Sequence, residues 1–350
     1  MVAWGGSQSL SNHEAAMSAS PRRRICLMKG PGTLPSQGRD RMDLTHYNAK
    51  LSGKPRLTPR EMVAAFPEIE EIAQIVHDDD GANEQATHED LRRLSRKING
   101  LLARGDVDGL VYIQGTNTLE ETAYFLNLTL RSDKPMVVVG AQRPFTAIST
   151  DAHLNLVNAI RVAACEEARG KGVVTVTNSE INAARDVTKS STYQVQTFQS
   201  RDLGVLGYAD ADRIVFYRAP LRRHTTQSEF DIMAIEALPA VEVLYPHTGS
   251  NPGLPRAAVA LGARALVIAG VGAGALGVFT EELKALVAEG VIVARSARVG
   301  EGRVLAIGNT HEEGMIATDN LNPQKAAVLL ALALTKTRDP AALQRFFDEY

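Results

Sequence analysis

Short apolar runs alternate with longer amphipathic stretches along most of the chain. The runs ICLMKG, GLVYIQG, PMVVVGA, GVVTVTN, VEVLYPH, ALVIAGVG and VIVARS are rich in β-branched residues, and most close on Gly, Asn or His. Between them lie HEDLRRLSRKINGLLARG, LEETAYFLNLTLRS, AHLNLVNAIRVAACEEARG and TEELKALVAEG, whose apolar residues recur at helical spacing. Strands separated by amphipathic helices predict βαβ units and parallel sheet with helices on both faces, so the fold class is α/β. The final stretch, NPQKAAVLLALALTKTRDPAALQRFFDEY, reads as two helices parted at Asp339-Pro340, because a proline cannot continue a helix.

The alternation lapses in FYRAPLRRHTTQSEFDIMAIEALP and resumes with a strand signal after Pro239. That break predicts a loose tail over 1–24, a larger α/β domain over 25–217, a linker over 218–238 and a smaller α/β domain over 239–350. No repeat of 20 to 50 residues is visible, which argues against a solenoid.

Composition narrows the picture. A chain of 350 residues can bury two cores, and 44% hydrophobic with 22% charged residues excludes disorder, collagen and coiled coil. The balance of 38 Lys+Arg against 40 Asp+Glu supplies no electrostatic footprint for nucleic acid or an acidic membrane surface. Cys26 and Cys165 are too few for a disulfide framework or a cysteine zinc site, which points to a reducing compartment. The first 24 residues lack the apolar stretch of a secretory signal, and no uncharged apolar run reaches membrane-spanning length. A cytoplasmic protein with neither nucleic-acid nor membrane partners is expected.

In open α/β sheets ligands bind where strands end at their carboxyl termini, and three loops in such places are unusual. Gly30-Pro31-Gly32-Thr33 follows the first run; its glycines let the backbone approach a ligand, leaving the Thr33 hydroxyl at the sheet rim as a candidate nucleophile. On the tetrapeptide alone, a threonine capping its own backbone is the stronger reading. In QGTNTLEETAYFL, Thr118 and Glu121 have capping-box spacing, so a helix should begin at Leu119 with Gly115, Thr116 and Asn117 at its positive end, suited to an oxyanion. Plain capping explains that loop as well. In RDVTKSS, Lys189 sits among hydroxyl residues and would become a base if desolvated, although most lysines are solvated surface charges. His77-Asp78-Asp79-Asp80 reads as a solvated acidic turn, because consecutive residues point apart and no ligand spacing supports a metal. GVGAGALG lacks the spacing and the acidic partner of a dinucleotide fingerprint.

Together the loops resemble the bacterial asparaginase/glutaminase family, the threonine amidohydrolases. GPGT is similar to the family's first signature, T-G-G-T-I-A, and QGTNTLEETAYFL to its second, H-G-T-D-T-x-E-E-T-A; RDVTKSS matches the loop holding the family's lysine. The likeness runs from about Ile25 to Tyr350 through VVVGAQRP, LGY, AGVGAG, VARSARV and LNPQKAAVLLALALT. It implies a two-domain asparaginase-like fold, larger amino-terminal and smaller carboxyl-terminal, and a dimer of dimers with active sites between subunits. It implies a small-molecule amide substrate and no metal or organic cofactor. It makes Thr33 the nucleophile of an acyl-enzyme, helped by Tyr47, with Thr116 and Lys189 in a second threonine-lysine-acid group. Backbone donors near Gly32, Gly115 and Thr116 would face the substrate.

The departures concern the substrate. Where the family has an aspartate binding the substrate α-ammonium, this chain has Asn117, which carries no charge. An asparagine of G-V-G-N-G-N is replaced by Ala273, and no carboxylate in VLAIGNTHEEG aligns with the glutamate a neighbouring subunit would supply. The family's serine and glutamine for the α-carboxylate align with Asn83 and Glu84, and an acidic group there would repel a carboxylate. The expected function is therefore an asparaginase-like amidohydrolase whose substrate need not be a free α-amino acid amide. An authentic asparaginase or glutaminase is the alternative. A binding protein that has lost turnover is a third reading, disfavoured because it needs none of Thr33, Thr116 and Lys189.

Overall fold

Most of the apolar runs become strands buried on both faces, with alternate residues serving opposite layers, while VEVL is only partly buried. A computed structural model describes residues 22–82, 87–308, 312 and 314–350. Its strands in chain order are β1 Arg24–Met28, β2 Gln74–Asp78, β3 Gly109–Ile113, β4 Met136–Val139, β5 Val173–Thr177, β6 Glu180–Ala183, β7 Thr188–Lys189, β8 Phe198–Gln199, β9 Gly207–Ala209, β10 Ile214–Phe216, β11 Val241–Leu244, β12 Ala265–Gly270, β13 Ile292–Ala297 and β14 Ile316–Ala317. The helices are α1 Ala49–Ser52, α2 Pro59–Ala64, α3 Ile69–Ile72, α4 His88–Ala103, α5 Leu119–Thr129, α6 Ala152–Ala164, α7 Leu254–Ala260, α8 Thr280–Ala288, α9 Pro323–Ala333 and α10 Pro340–Glu349.

The large sheet has the order β10-β9-β6-β5-β4-β3-β1-β2. Ile25, Leu27, Val111 and Ile113 pack with Leu156 and Ile160 of α6, while Cys26, Met28, Leu110 and Tyr112 pack with α4 and α5. The expected parallel pairing holds from β2 to β5, and the sheet then turns mixed: β6, β9 and β10 are antiparallel. The cause is local. Thr177 pairs with Glu180, and the two residues between, Asn178 and Ser179, have φ of 51° and 61°, as a tight two-residue hairpin requires. The His77-Asp78 dipeptide, expected in a solvated turn, instead ends the edge strand β2 opposite Leu27 and Met28, and Asp78 pairs with Lys97 at 2.8 Å.

The smaller sheet, β11-β12-β13-β14, is wholly parallel, with α9 against one face and α7 and α8 against the other. The two halves share a core. Ten of the eleven residues of α5 are buried, and its Tyr124, Phe125 and Leu128 join Val328 and Leu332 of α9 and Phe346 of α10. Phe230 and Ile232, from the connecting segment, are fully buried in the same cluster, and Arg92 of α4 donates to the Ile235 carbonyl at 2.7 Å. Across the junction, Lys325 of α9 donates to the carbonyls of Ala184 and Arg185, both at 2.9 Å, and of Val187. Among the described residues no helix is long and apolar enough to cross a membrane.

Candidate active site

Strand order reverses at β1, which has β3 on one side and β2 on the other. Loops leaving the carboxyl ends of neighbouring parallel strands diverge at such a point, and a crevice opens between them. The loops after β1 and β3 are those that carry Thr33 and Thr116. They touch backbone to backbone: a Cβ on Gly32, whose φ is +125°, would lie 2.4 Å from Gly115 Cα, and one on Gly30 would lie 1.8 Å from the Ile113 carbonyl oxygen. Only glycine permits that approach.

The crevice is a cavity of about 770 Å³ lined by Thr33, Tyr47, Thr116, Asn117 and Lys189, together with Gly32 and Gly115. Thr33 and Thr116 are 8% and 6% exposed. The Thr33 hydroxyl donates to the Tyr47 hydroxyl at 3.4 Å, at the long end of hydrogen-bond range. Tyr47 is delivered by a segment tied down through Asp43, which accepts from the His46 N–H at 2.9 Å, from the Thr45 N–H at 3.1 Å and from Arg39 at 2.5 Å. Those bonds, the His46 N–H foremost, hold the Asp43 carboxyl well below the usual carboxylate range.

Lys189 comes from the short β7-β8 ribbon, closed by the Ser190 N–H donating to the Thr197 carbonyl at 2.7 Å. Its Nζ donates to Thr116 Oγ1 at 2.8 Å, and Thr116 Oγ1 donates to Gln142 Oε1 at 3.3 Å. Burial pushes the Lys189 ammonium below its ordinary pKa, and the nearby Glu120 carboxylate works against that shift. A lysine so placed can exchange a proton with a hydroxyl it already touches.

Helix α5 begins at Leu119 as the spacing predicts, but the capping box does not form. Thr118 has φ −123° and ψ 18°, and its side chain makes no cap bond; its hydroxyl accepts from Gln114 Nε2 at 3.4 Å. Glu121 is partly buried beside Glu120, which raises its pKa to about 6, and no capping box with Thr118 forms. The first N–H groups of α5 therefore remain without a side-chain cap at the cavity's edge.

The structure brings Thr33, Tyr47, Thr116, Asn117 and Lys189 to one cavity. Asn83 and Glu84 lie outside the described residues. Ala273 sits in the exposed turn between Val271 and Ala275 and does not line this cavity. Among the lining residues that sequence reasoning missed are Arg56, Glu120 and Gln142. Gln142 lies three residues beyond β4, in the VVVGAQRP motif, so its place after a strand was a usable signal; nothing local marks Arg56. Among the described residues no three His, Cys, Asp or Glu side chains gather as a metal site.

Comparison with known proteins extends over the same ground. Residues 24–222 match the family model described as asparaginase, N-terminal, and residues 240–347 match the glutaminase/asparaginase C-terminal domain. The chain is 41% identical to L-asparaginase 2 of Bacillus subtilis (strain 168) over 343 residues, covering 96% of this chain and 90% of the relative. It is 38% identical to the glutaminase-asparaginase of Pseudomonas fluorescens biotype A over 332 residues, covering 93% and 90%. The crystal structure of a probable cytoplasmic L-asparaginase from Campylobacter jejuni superposes with a TM-score of 0.84 at 37% identity, covering 94% of this chain and 100% of that one.

Proposed function

Because the chain belongs to the asparaginase family across both halves of its fold, we propose that it hydrolyses a carboxamide C–N bond through an acyl-enzyme on Thr33, on a substrate that need not carry an α-ammonium. The observation that supports this most is the pairing, around one cavity, of the Thr33 hydroxyl with Tyr47 and of Lys189 Nζ with the Thr116 hydroxyl. In this reading Thr33 Oγ1 attacks the amide carbon, and its proton passes by way of Tyr47 to the departing nitrogen, which leaves as ammonia. Neutral Lys189, acting through Thr116, takes a proton from water, which then attacks the ester, and the proton returns to the departing Thr33 Oγ1 as the acid is released. The closely approaching backbones at Gly32 and Gly115 supply N–H groups for the carbonyl oxygen as it gains charge.

The charges around the cavity support the choice of substrate. Position 117 is a neutral amide, and Glu120, the carboxylate among the lining residues, accepts from Asn322 at 3.1 Å and from Gln324 at 3.2 Å. Arg56 at the exposed rim makes no ion pair with the described residues and offers a charge to a substrate carboxylate. An acidic des-amino amide such as succinamate fits that balance. An authentic asparaginase or glutaminase fits the comparisons equally well, given the names of the relatives. We further propose domains over 25–217 and 239–350, assembly as a dimer of dimers with active sites at subunit interfaces, and residence in the cytoplasm, the last in keeping with unpaired Cys26 and Cys165.

Ammonia release from purified protein given succinamate, malonamate, asparagine and glutamine tests the reading. The des-amino amides should turn over with the higher kcat/KM, and Thr33→Ala should abolish turnover while leaving the far-UV circular dichroism unchanged. Strong preference for asparagine would establish the authentic asparaginase. Double-digit percentage activity in Thr33→Ala would remove Thr33 as nucleophile.

A further inference from the structure

The segment Asn322-Pro323-Gln324-Lys325 opens α9, in the second half of the chain, yet its side chains reach into the first. Asn322 caps the helix by accepting from the Lys325 N–H at 3.0 Å, and Pro323 at the first helical position fixes the turn. The capped turn directs three donors across the junction. Asn322 Nδ2 donates to Glu120 Oε2 at 3.1 Å and lies 3.4 Å from the Thr188 hydroxyl; Gln324 Nε2 donates to Glu120 Oε1 at 3.2 Å. Lys325 Nζ, 1% exposed, holds the carbonyls of Ala184, Arg185 and Val187.

These targets flank the proton-transfer pair on both sides. Glu120 stands four residues after Thr116 in the first turn of α5, and Thr188 immediately precedes Lys189. We propose that the first turn of α9 is a clamp that sets the separation of Thr116 and Lys189, with Glu120 as its bridging positioning residue. The inference rests on the reading of Thr116 and Lys189 as the proton-transfer pair. The contact of 2.8 Å between the loop after β3 and the β7-β8 ribbon is thereby held from the second half of the chain, so site geometry and the packing of the two halves are coupled. The charged and titratable groups that face Glu120 are Lys189, Lys325, Glu121 and Tyr245. Of these Lys189 is the one in contact with the Thr116 hydroxyl, and the Glu120 charge supports its protonated form against burial.

The test is the pH-rate profile of kcat, with KM and thermal melting, for wild type, Lys189→Met, Glu120→Gln and Gln324→Met, using the best amide substrate. Lys189→Met should lose on the order of 100-fold in kcat. Since neutral Lys189 acts, kcat rises with pH as the ammonium loses its proton; Glu120→Gln should move that rise to lower pH by about one unit. Gln324→Met, at a half-buried position and near-constant length, should lower kcat by about 10-fold with KM within about twofold and melting unchanged. If Lys189→Met is inactive while Glu120→Gln and Gln324→Met keep the wild-type profile, the clamp is overturned and the assignment of Lys189 stands. Losses of kcat that only track a fall in melting temperature also overturn it. Wild-type rates in Lys189→Met would instead remove the reading on which it rests. Should Glu120→Gln fail to fold, the kcat against KM split in Gln324→Met decides.

Discussion

At the scale of single residues, Asn117 separates the two enzymatic readings by one atom. Restoring a carboxylate with Asn117→Asp should improve kcat/KM for asparagine relative to succinamate by about 10-fold, the lower end of what a charge-assisted hydrogen bond of about 1.5 to 3 kcal/mol allows. The lower end is expected because one restored carboxylate would act without the neighbouring-subunit carboxylate that the family resemblance implies. The same variant adds a negative charge near Lys189, favours its ammonium, and should move the basic-side rise of kcat to higher pH, opposite in sign to Glu120→Gln. A wild type that already prefers asparagine, unchanged by the substitution, would contradict the argument. That Thr33, Tyr47, Thr116 and Lys189 line one cavity was legible because the loops carrying Thr33 and Thr116 follow recognisable strands and, with the stretch around Lys189, match the family's signatures. Glu120 and Gln142 were not, because their importance comes from partners as distant as Asn322 and Lys189-bound Thr116, which no local pattern encodes.

At the scale of elements, periodicity located strands and long helices well, since interior strands are buried on two faces and amphipathic helices on one, and each leaves its own pattern. It failed where side-chain competition decides. Thr118 and Glu121 have the spacing of a capping box, but Gln114 engages the threonine hydroxyl, which makes no cap bond. Thr118→Ala should therefore cost less than about 0.5 kcal/mol, against the roughly 1 kcal/mol typical of a working cap. Urea denaturation measures this, and a loss above 1 kcal/mol would show that the cap forms in solution. The strand β2 escaped the pattern for a related reason. It lies at the sheet edge, partly exposed, so QIVHD carries polar residues where an interior strand would be apolar. The turn at Asn178-Ser179, which reverses β6, was equally hidden, because Asn178 and Ser179 both adopt positive φ with no glycine to announce it.

At the scale of the whole molecule, the alternation of strands and helices predicted two α/β units, while their shared core was invisible because it joins α5 to a helix two hundred residues further on. Lys325→Met should expose how much that junction contributes. It leaves three carbonyls of the 184–187 loop unpaired at a buried site, and such groups cost about 1 to 3 kcal/mol each, so destabilisation of about 3 kcal/mol or more is expected. Calorimetry of the variant should show the two halves separating into two transitions where wild type shows one; an unchanged single transition would mean that the apolar contacts of α5 and α9 suffice. The contact between α9 and the loop before Lys189 also acts in time. During synthesis the hydroxyls and the lysine leave the ribosome first, and the turn that steadies them follows on the order of ten seconds later. If the proposed clamp operates, a chain cut short before residue 322 would carry Thr33, Thr116 and Lys189 and still lack the turn that holds them, so competence would be conferred last.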